Sequence, residues 1–289
     1  MKNQPVYVSS RLSGLMRCSV ITTLTALLLM LGGCGPSSGP VSSPRQSQPP
    51  TDDPSPPSAT PAPSPATSPP TPLDGPAPQL QSCSNILSVG DSITLGVNGG
   101  YRNDLYTGLQ QNNCGVSYVG TLVDQYTRVA DKHHEGHAGF NIDNVGSNII
   151  SWSASLQPNI ILLMIGTNDI AWWTAKSANQ IAASHNALID QFEAARPGAW
   201  IFVASLPPQT SAIIQPNNID RAVLVQQVNA VIRTNVESRV AAGQRVHFVD
   251  VNSVLTAADL YDGIHPTEAA HAKVAAKFLE EIRAELSSR

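Results

Sequence analysis

The chain has 289 residues, a formal net charge of -4 and 42% hydrophobic residues, a composition that excludes both a disordered chain and a multi-span membrane protein. Sixteen of its 23 prolines fall between Pro36 and Pro78, a stretch with no aromatic residue that cannot bury enough apolar surface to offset its chain entropy. Residues 80–289 carry 13 Lys and Arg against 18 Asp and Glu, a balance that excludes a nucleic-acid binder working through phosphate neutralisation.

The chain opens on Lys2, Arg11 and Arg17 and then the apolar run Val20–Leu31, too short to span a bilayer comfortably and of the length of a signal h-region. A start at Met16 would leave a signal of more usual length. The run ends in Leu31-Gly32-Gly33-Cys34, which resembles a bacterial lipobox. The resemblance implies removal of residues 1–33 and a diacylglyceryl group on the Cys34 sulfur; an ordinary signal peptide ending near a cysteine is the alternative. Residues 34–79 then read as a disordered Pro/Ser/Thr-rich tether between a bacterial envelope membrane and a catalytic domain at 80–289. At about 3 Å per residue that tether reaches on the order of 100 Å. With Cys18 lost and Cys34 lipidated, Cys83 and Cys114 remain, and one pair in an exported domain suggests one disulfide.

From residue 84 short apolar runs alternate with helical periods. Strands are expected at Asn85–Val89, Val116–Val119, Ile160–Ile165, Trp200–Leu206 and Val246–Val251. Helices are expected at Tyr101–Gln111, Asn141–Leu156, Ala178–Ala195, Ile219–Ala242 and Thr267–Ser287. In the last, Val274, Phe278, Leu279, Ile282 and Leu286 recur at helical steps. Ile160–Ile165 is a continuous apolar run, as expected of a central parallel strand covered on both faces. Five strands each followed by a helix give a doubly wound α/β fold, a single five-stranded parallel sheet in the flavodoxin-like order 2-1-3-4-5. In that order Cys83 and Cys114 precede neighbouring strands, at the end opposite any active site.

Open α/β sheets bind ligands beyond the carboxyl ends of their strands. Gly90-Asp91-Ser92-Ile93-Thr94 follows the first strand, Gly166-Thr167-Asn168-Asp169 the third, and Asp262-Gly263-Ile264-His265-Pro266 the last. Topology therefore brings a serine, an amide donor and an Asp/His pair to one rim, the parts needed for acyl transfer through serine. These segments, with the glycine of His137-Ala138-Gly139-Phe140, resemble the four blocks of the SGNH/GDSL hydrolases in order and spacing, over essentially all of residues 84–287. Wider stretches, GGYRNDL (99–105), SYVGTL (117–122) and HEGHAGFNI (134–142), resemble carbohydrate esterase family 3, the acetylxylan esterase group. Ala138 departs from the serine common in relatives, at a position with no catalytic role in the family.

The resemblance implies Ser92 as nucleophile, His265 as general base and Asp262 as the carboxylate holding its imidazole. It implies an oxyanion hole of the Ser92 and Gly139 backbone N–H groups and the Asn168 amide. Asp91 and Asp169 are expected to brace their loops, and Tyr101 and Arg102 to be structural. Phe140, Ile170 and Leu95 are candidates for a wall that limits the acyl group, and one of Trp172 and Trp173 for stacking on a sugar. Lys132–His137 lacks the spacing that puts two histidines on one helical face, so no metal is expected, nor any cofactor. The implied activity is deacetylation of acetylated xylan or its oligosaccharides. The rivals are a lipase, lysophospholipase or thioesterase on the same fold, and a surface-anchored carbohydrate-binding module with an inactive site.

Overall fold

The computed structural model describes residues 82–171, 176–210 and 220–287. The expected export signal, Cys34, the expected Pro-rich tether, Trp172 and Trp173 lie outside the described residues.

Four strands form the middle and one side of the sheet, all parallel and neighbours in chain order: β1 (Ile86–Gly90), β5 (Ile160–Met164), β6 (Trp200–Ala204) and β7 (Val246–Val249). Every residue of β1, β5 and β6 is buried. Their side chains alternate between two cores, as the two-residue strand period requires. Leu87, Val89, Ile161, Leu163, Ile201 and Val203 enter one core; Ile86, Ile160, Leu162, Trp200 and Phe202 enter the other.

The other side of β1 corrects the expectation of five strands. Among the described residues the sheet has seven, because the single strand expected at Val116–Val119 is replaced by three short pieces. β2 (Tyr118–Val119) pairs with Ile86 and Leu87. The chain then leaves the edge, runs through β3 (Leu122–Val123) and returns as β4 (His133–Gly136), antiparallel to β3 and parallel to Val89 and Gly90. Gly120 permits the departure: a Cβ there would lie 2.3 Å from the His134 carbonyl oxygen.

Short α1 (Ser92–Leu95) and then α2 (Tyr101–Gln111) follow β1. The helix expected over Asn141–Leu156 is two, α3 (Ile142–Gly146) and α4 (Ile149–Leu156). Gly146-Ser147-Asn148 interrupts it: the Ser147 hydroxyl and the Asn148 amide donate to the Asp143 and Asn144 carbonyls, competing with the helical ladder. Then come α5 (Thr167–Ala171), α6 (Ala178–Ala195), α7 (Arg221–Ala241) and α8 (Glu268–Ser287). α3, α4, α6 and α7 cover one face of the sheet, α2 and α8 the other, where Tyr101 stacks on Phe278 at 5.1 Å between ring centroids.

Cys83 and Cys114 are joined, with Cα atoms 5.5 Å apart, ahead of β1 and β2. Closing a 31-residue separation contributes about 3–4 kcal/mol in the chain-entropy model, away from the carboxyl ends of the strands.

Candidate active site

The turn from β1 into α1 is tight. A Cβ on Gly90 would lie 2.3 Å from the Met164 carbonyl oxygen, so only glycine fits there. Asp91 caps α1, its Oδ1 accepting from the Ile93 N–H at 2.9 Å. Burial pushes the Asp91 carboxyl up to about 6, against that hydrogen bond and the nearby Thr167 side chain. Ser92 is the first residue of α1, half-buried, with its side chain at the rim.

The second half of the site precedes α8. Asp262 Oδ1 accepts from the Ile264 and His265 N–H groups at 3.0 and 2.8 Å, folding the segment back on itself. Gly263 sits at φ 86°, and a Cβ there would strike Thr210 Oγ1. This turn aims the imidazole both ways: His265 Nδ1 lies 2.6 Å from Asp262 Oδ2, and His265 Nε2 lies 2.8 Å from Ser92 Oγ. Burial opposes ionisation of Asp262, but hydrogen bonds from His265 and Ile264 hold its carboxyl below the usual range. The carboxylate therefore favours the tautomer with a proton on Nδ1 and leaves Nε2 to accept from the serine.

The third part is the turn after β4. His137 N–H donates to the Gly90 carbonyl at 3.0 Å and Phe140 N–H to the His137 carbonyl at 3.1 Å. Gly139, in between, is exposed at φ 83°, in the left-handed region glycine adopts without strain. α5 grips the turn with two side chains: Asn168 Nδ2 donates to the Phe140 carbonyl at 2.8 Å, and Asp169 Oδ2 accepts from the Ile142 N–H at 3.0 Å. Asp91 and Asp169 thus brace loops, and burial raises the Asp169 carboxyl. Arg102, fully buried, donates to the Thr94 and Leu95 carbonyls and to Asp124, holding the end of α1.

One candidate for the acyl wall is corrected. Ile170 is 0% exposed and packs in the core beneath α5, because it lies two residues from Asn168 on the opposite side of that short helix. The Phe140 ring stacks on His137 at 4.3 Å, packs partly against the same core and stays half-buried beside Gly139. Leu95 does line a cleft beside Ser92, of ≈ 180 Å³, with Val97, Tyr261, Pro266 and His271. Sequence reasoning read Pro266 only as part of the DGIHP segment and passed over Val97, Tyr261 and His271; Tyr261 adjoins that segment, which was the available signal. It also passed over the anchoring of the turn, where buried Glu135 accepts from Thr121 and pairs with His137 Nε2 at 2.7 Å. Among the described residues no group of three or more His, Cys, Asp or Glu is placed to hold a metal ion.

A sequence profile of the GDSL-like lipase/acylhydrolase family matches residues 88–273. A solved structure titled a family 3 carbohydrate esterase from Clostridium thermocellum is 31% identical, with a TM-score of 0.59, over 71% of this chain and 98% of that one. An Acetivibrio thermocellus protein provisionally named endoglucanase X is 30% identical over 138 residues, 47% of this chain and 54% of its own length. A multidomain esterase from Ruminococcus flavefaciens is 25% identical over 249 residues, 73% of this chain and 30% of its own length. The chain therefore spans about half, or less, of these two longer relatives.

Proposed function

We propose, from the premise that this chain belongs to the GDSL-like lipase/acylhydrolase family, that it removes acetyl groups from acetylated xylan or its oligosaccharides. It is a carboxylic-ester hydrolase by its family and its esterase relatives. The acetylated sugar rests on its likeness to the family 3 carbohydrate esterase.

The observation that carries the mechanism is the unbroken hydrogen-bonded path from Ser92 Oγ through His265 to Asp262. In the proposed reaction His265 Nε2 takes the Ser92 proton while Oγ attacks the acetyl carbonyl. The negative charge that develops on the carbonyl oxygen is met by the Ser92 and Gly139 N–H groups and the Asn168 amide. Collapse breaks the bond to the sugar oxygen, which takes the proton from His265 and leaves an acetyl-Ser92 ester. Water, deprotonated by His265, releases acetate and restores the serine. Export, lipid attachment at Cys34 and a tether over residues 34–79 belong to the same proposal and would hold this chemistry at the bacterial envelope.

The test is acetate release from a panel of acetylated glycans, beside octanoyl and longer-chain esters, with organophosphonate labelling of Ser92. Acetylated glycans should be turned over and Ser92 labelled. Preference for long acyl chains would assign a lipase, lysophospholipase or thioesterase instead. A protein that binds glycan but takes no label would be an inactive binding module.

A further inference from the structure

The Ser92–His265 pair has different surroundings on its two sides. Asn168 and the Gly139 turn lie on the side of the α3, α4, α6 and α7 core, against which Phe140 packs. The ≈ 180 Å³ cleft lies on the other side, between the end of α1 and the start of α8, and His265 itself forms part of its wall. With the oxyanion held toward Asn168 and the departing oxygen protonated by His265, the alcohol half of the ester must leave on the His265 side. That side is the cleft.

The lining specifies what kind of alcohol fits. Among the described residues that line it there is no Lys, Arg, Asp or Glu to meet the charge of an anionic leaving group such as a phosphorylated alcohol. Tyr261 is 60% exposed, and its ring lies over the His265 imidazole at 5.6 Å and 17°, an aromatic surface beside the departing atom. Val97, also largely exposed, adds an aliphatic surface. At the base His271 is 2% exposed, and its Nδ1 has no hydrogen-bond partner within the protein. A Cβ on Gly100 would lie 3.3 Å from that atom, so glycine lets the chain pack closely against the imidazole. Burial, with Arg102 and His265 nearby, pushes the His271 imidazole down to about 4, so it adds no charge to the base of the cleft at physiological pH.

We propose that this cleft is the leaving-group subsite and that it selects an uncharged sugar alcohol, with Tyr261 as the platform for the sugar ring. The proposal rests on the reading of Ser92, His265 and Asn168 given above and adds to it the residues that choose the alcohol.

The experiment compares kcat/KM for three esters with the same acyl group: acetylated xylotriose, ethyl acetate and an acetylated glycerol phosphate. The native enzyme should prefer the sugar ester and turn over the anionic one least. In Tyr261→Ala the ratio of sugar ester to ethyl acetate should fall about tenfold, the scale of one lost aromatic contact, while Tyr261→Phe keeps the ratio within about threefold. Calorimetry of unmodified xylotriose with Ser92→Ala protein should show the same roughly tenfold weakening when Tyr261→Ala is added. A ratio unchanged in Tyr261→Ala, whether both esters suffer equally or neither does, would overturn the subsite and leave Tyr261 as a cover for His265. Failure of the underlying reading looks different: the Ser92→Ala enzyme would keep hydrolysing ethyl acetate, and the subsite proposal would fall with it.

Discussion

Asn168 Nδ2 donates to the Phe140 carbonyl at 2.8 Å, so the amide at the start of α5 and the turn bearing Gly139 are one mechanical unit. A donor fixed in this way does not have to reorganise when charge develops on a substrate oxygen, which is the condition for strong oxyanion stabilisation. Replacing Asn168 with alanine should lower kcat by roughly 10²–10³ with KM little changed. Asn168→Asp should lose as much, since a carboxylate has no N–H to offer. Steady-state kinetics on an acetyl ester separates these outcomes from a loss confined to KM, which would make Asn168 a ground-state binding residue.

The Ser92–His265–Asp262 path makes a graded prediction. Ser92→Ala should remove nearly all turnover, leaving roughly 10³-fold over water from oxyanion contacts and binding. Asp262→Asn keeps an oxygen able to accept from the Ile264 and His265 N–H groups but loses the charge that fixes the imidazole tautomer. Its kcat should fall by roughly 10³–10⁴ in a protein of native stability. A fall of less than tenfold would show that the turn alone orients His265.

Legibility in the sequence followed locality. Ser92, Asn168 and His265 were readable because each follows a strand and topology alone carries strand ends to one rim. The Asp262–His265 turn was readable because three residues separate the partners. The broken edge strand was not, because nothing within Val116–Val119 shows that Gly120 must cross the His134 backbone. Ile170 was misplaced for a related reason. Adjacency to a catalytic block fixes position along the chain, whereas burial depends on which side of α5 the side chain takes.

That correction has its own test. With its side chain wholly inside the core, Ile170→Ala should destabilise by about 2–5 kcal/mol, as other large-to-small core changes do. The ratio of butyrate to acetate hydrolysis should stay within about twofold of native, well below the effect of one methylene in a true acyl pocket. Chemical denaturation and aryl-ester kinetics measure the two quantities independently.

Stability should decline in mild acid. Burial holds His134, His185 and His271 at about 4, while the same groups in an unfolded chain take up protons near 6.5. Each therefore contributes stability that is present above 6.5 and lost as the pH falls toward 4. Asp91 works the other way: its folded carboxyl binds a proton at about 6, its unfolded one at 3.8, so it adds stability over that interval as the pH falls. Three imidazoles outweigh one carboxyl, and unfolding near pH 5 should take up about two protons through these groups. Urea midpoints between pH 7 and 4.5 give the slope. His185→Leu, which removes an imidazole whose Nε2 has no hydrogen-bond partner, should reduce that uptake by about one proton.

The last prediction concerns how the Gly139 turn is held from below. His137 is stacked between Phe140 at 4.3 Å and Trp152 at 5.4 Å, and its Nε2 meets the buried Glu135 carboxylate at 2.7 Å. Glu135 in turn accepts from the Thr121 backbone N–H and hydroxyl, so one carboxylate ties the start of β3 to the turn after β4. Glu135→Ala would leave the Thr121 N–H and one edge of His137 without their partner. The turn would then be free to shift, and shifts of a fraction of an ångström matter to a donor aimed at a developing charge. In a variant shown by circular dichroism to remain folded, kcat should fall roughly tenfold while KM changes less. Glu135→Gln, which keeps an acceptor for Thr121 and a polar partner for His137, should recover most of the rate. If Glu135→Ala destabilised the fold but left kcat intact, the Phe140–His137–Trp152 stack would be the sole anchor the turn requires.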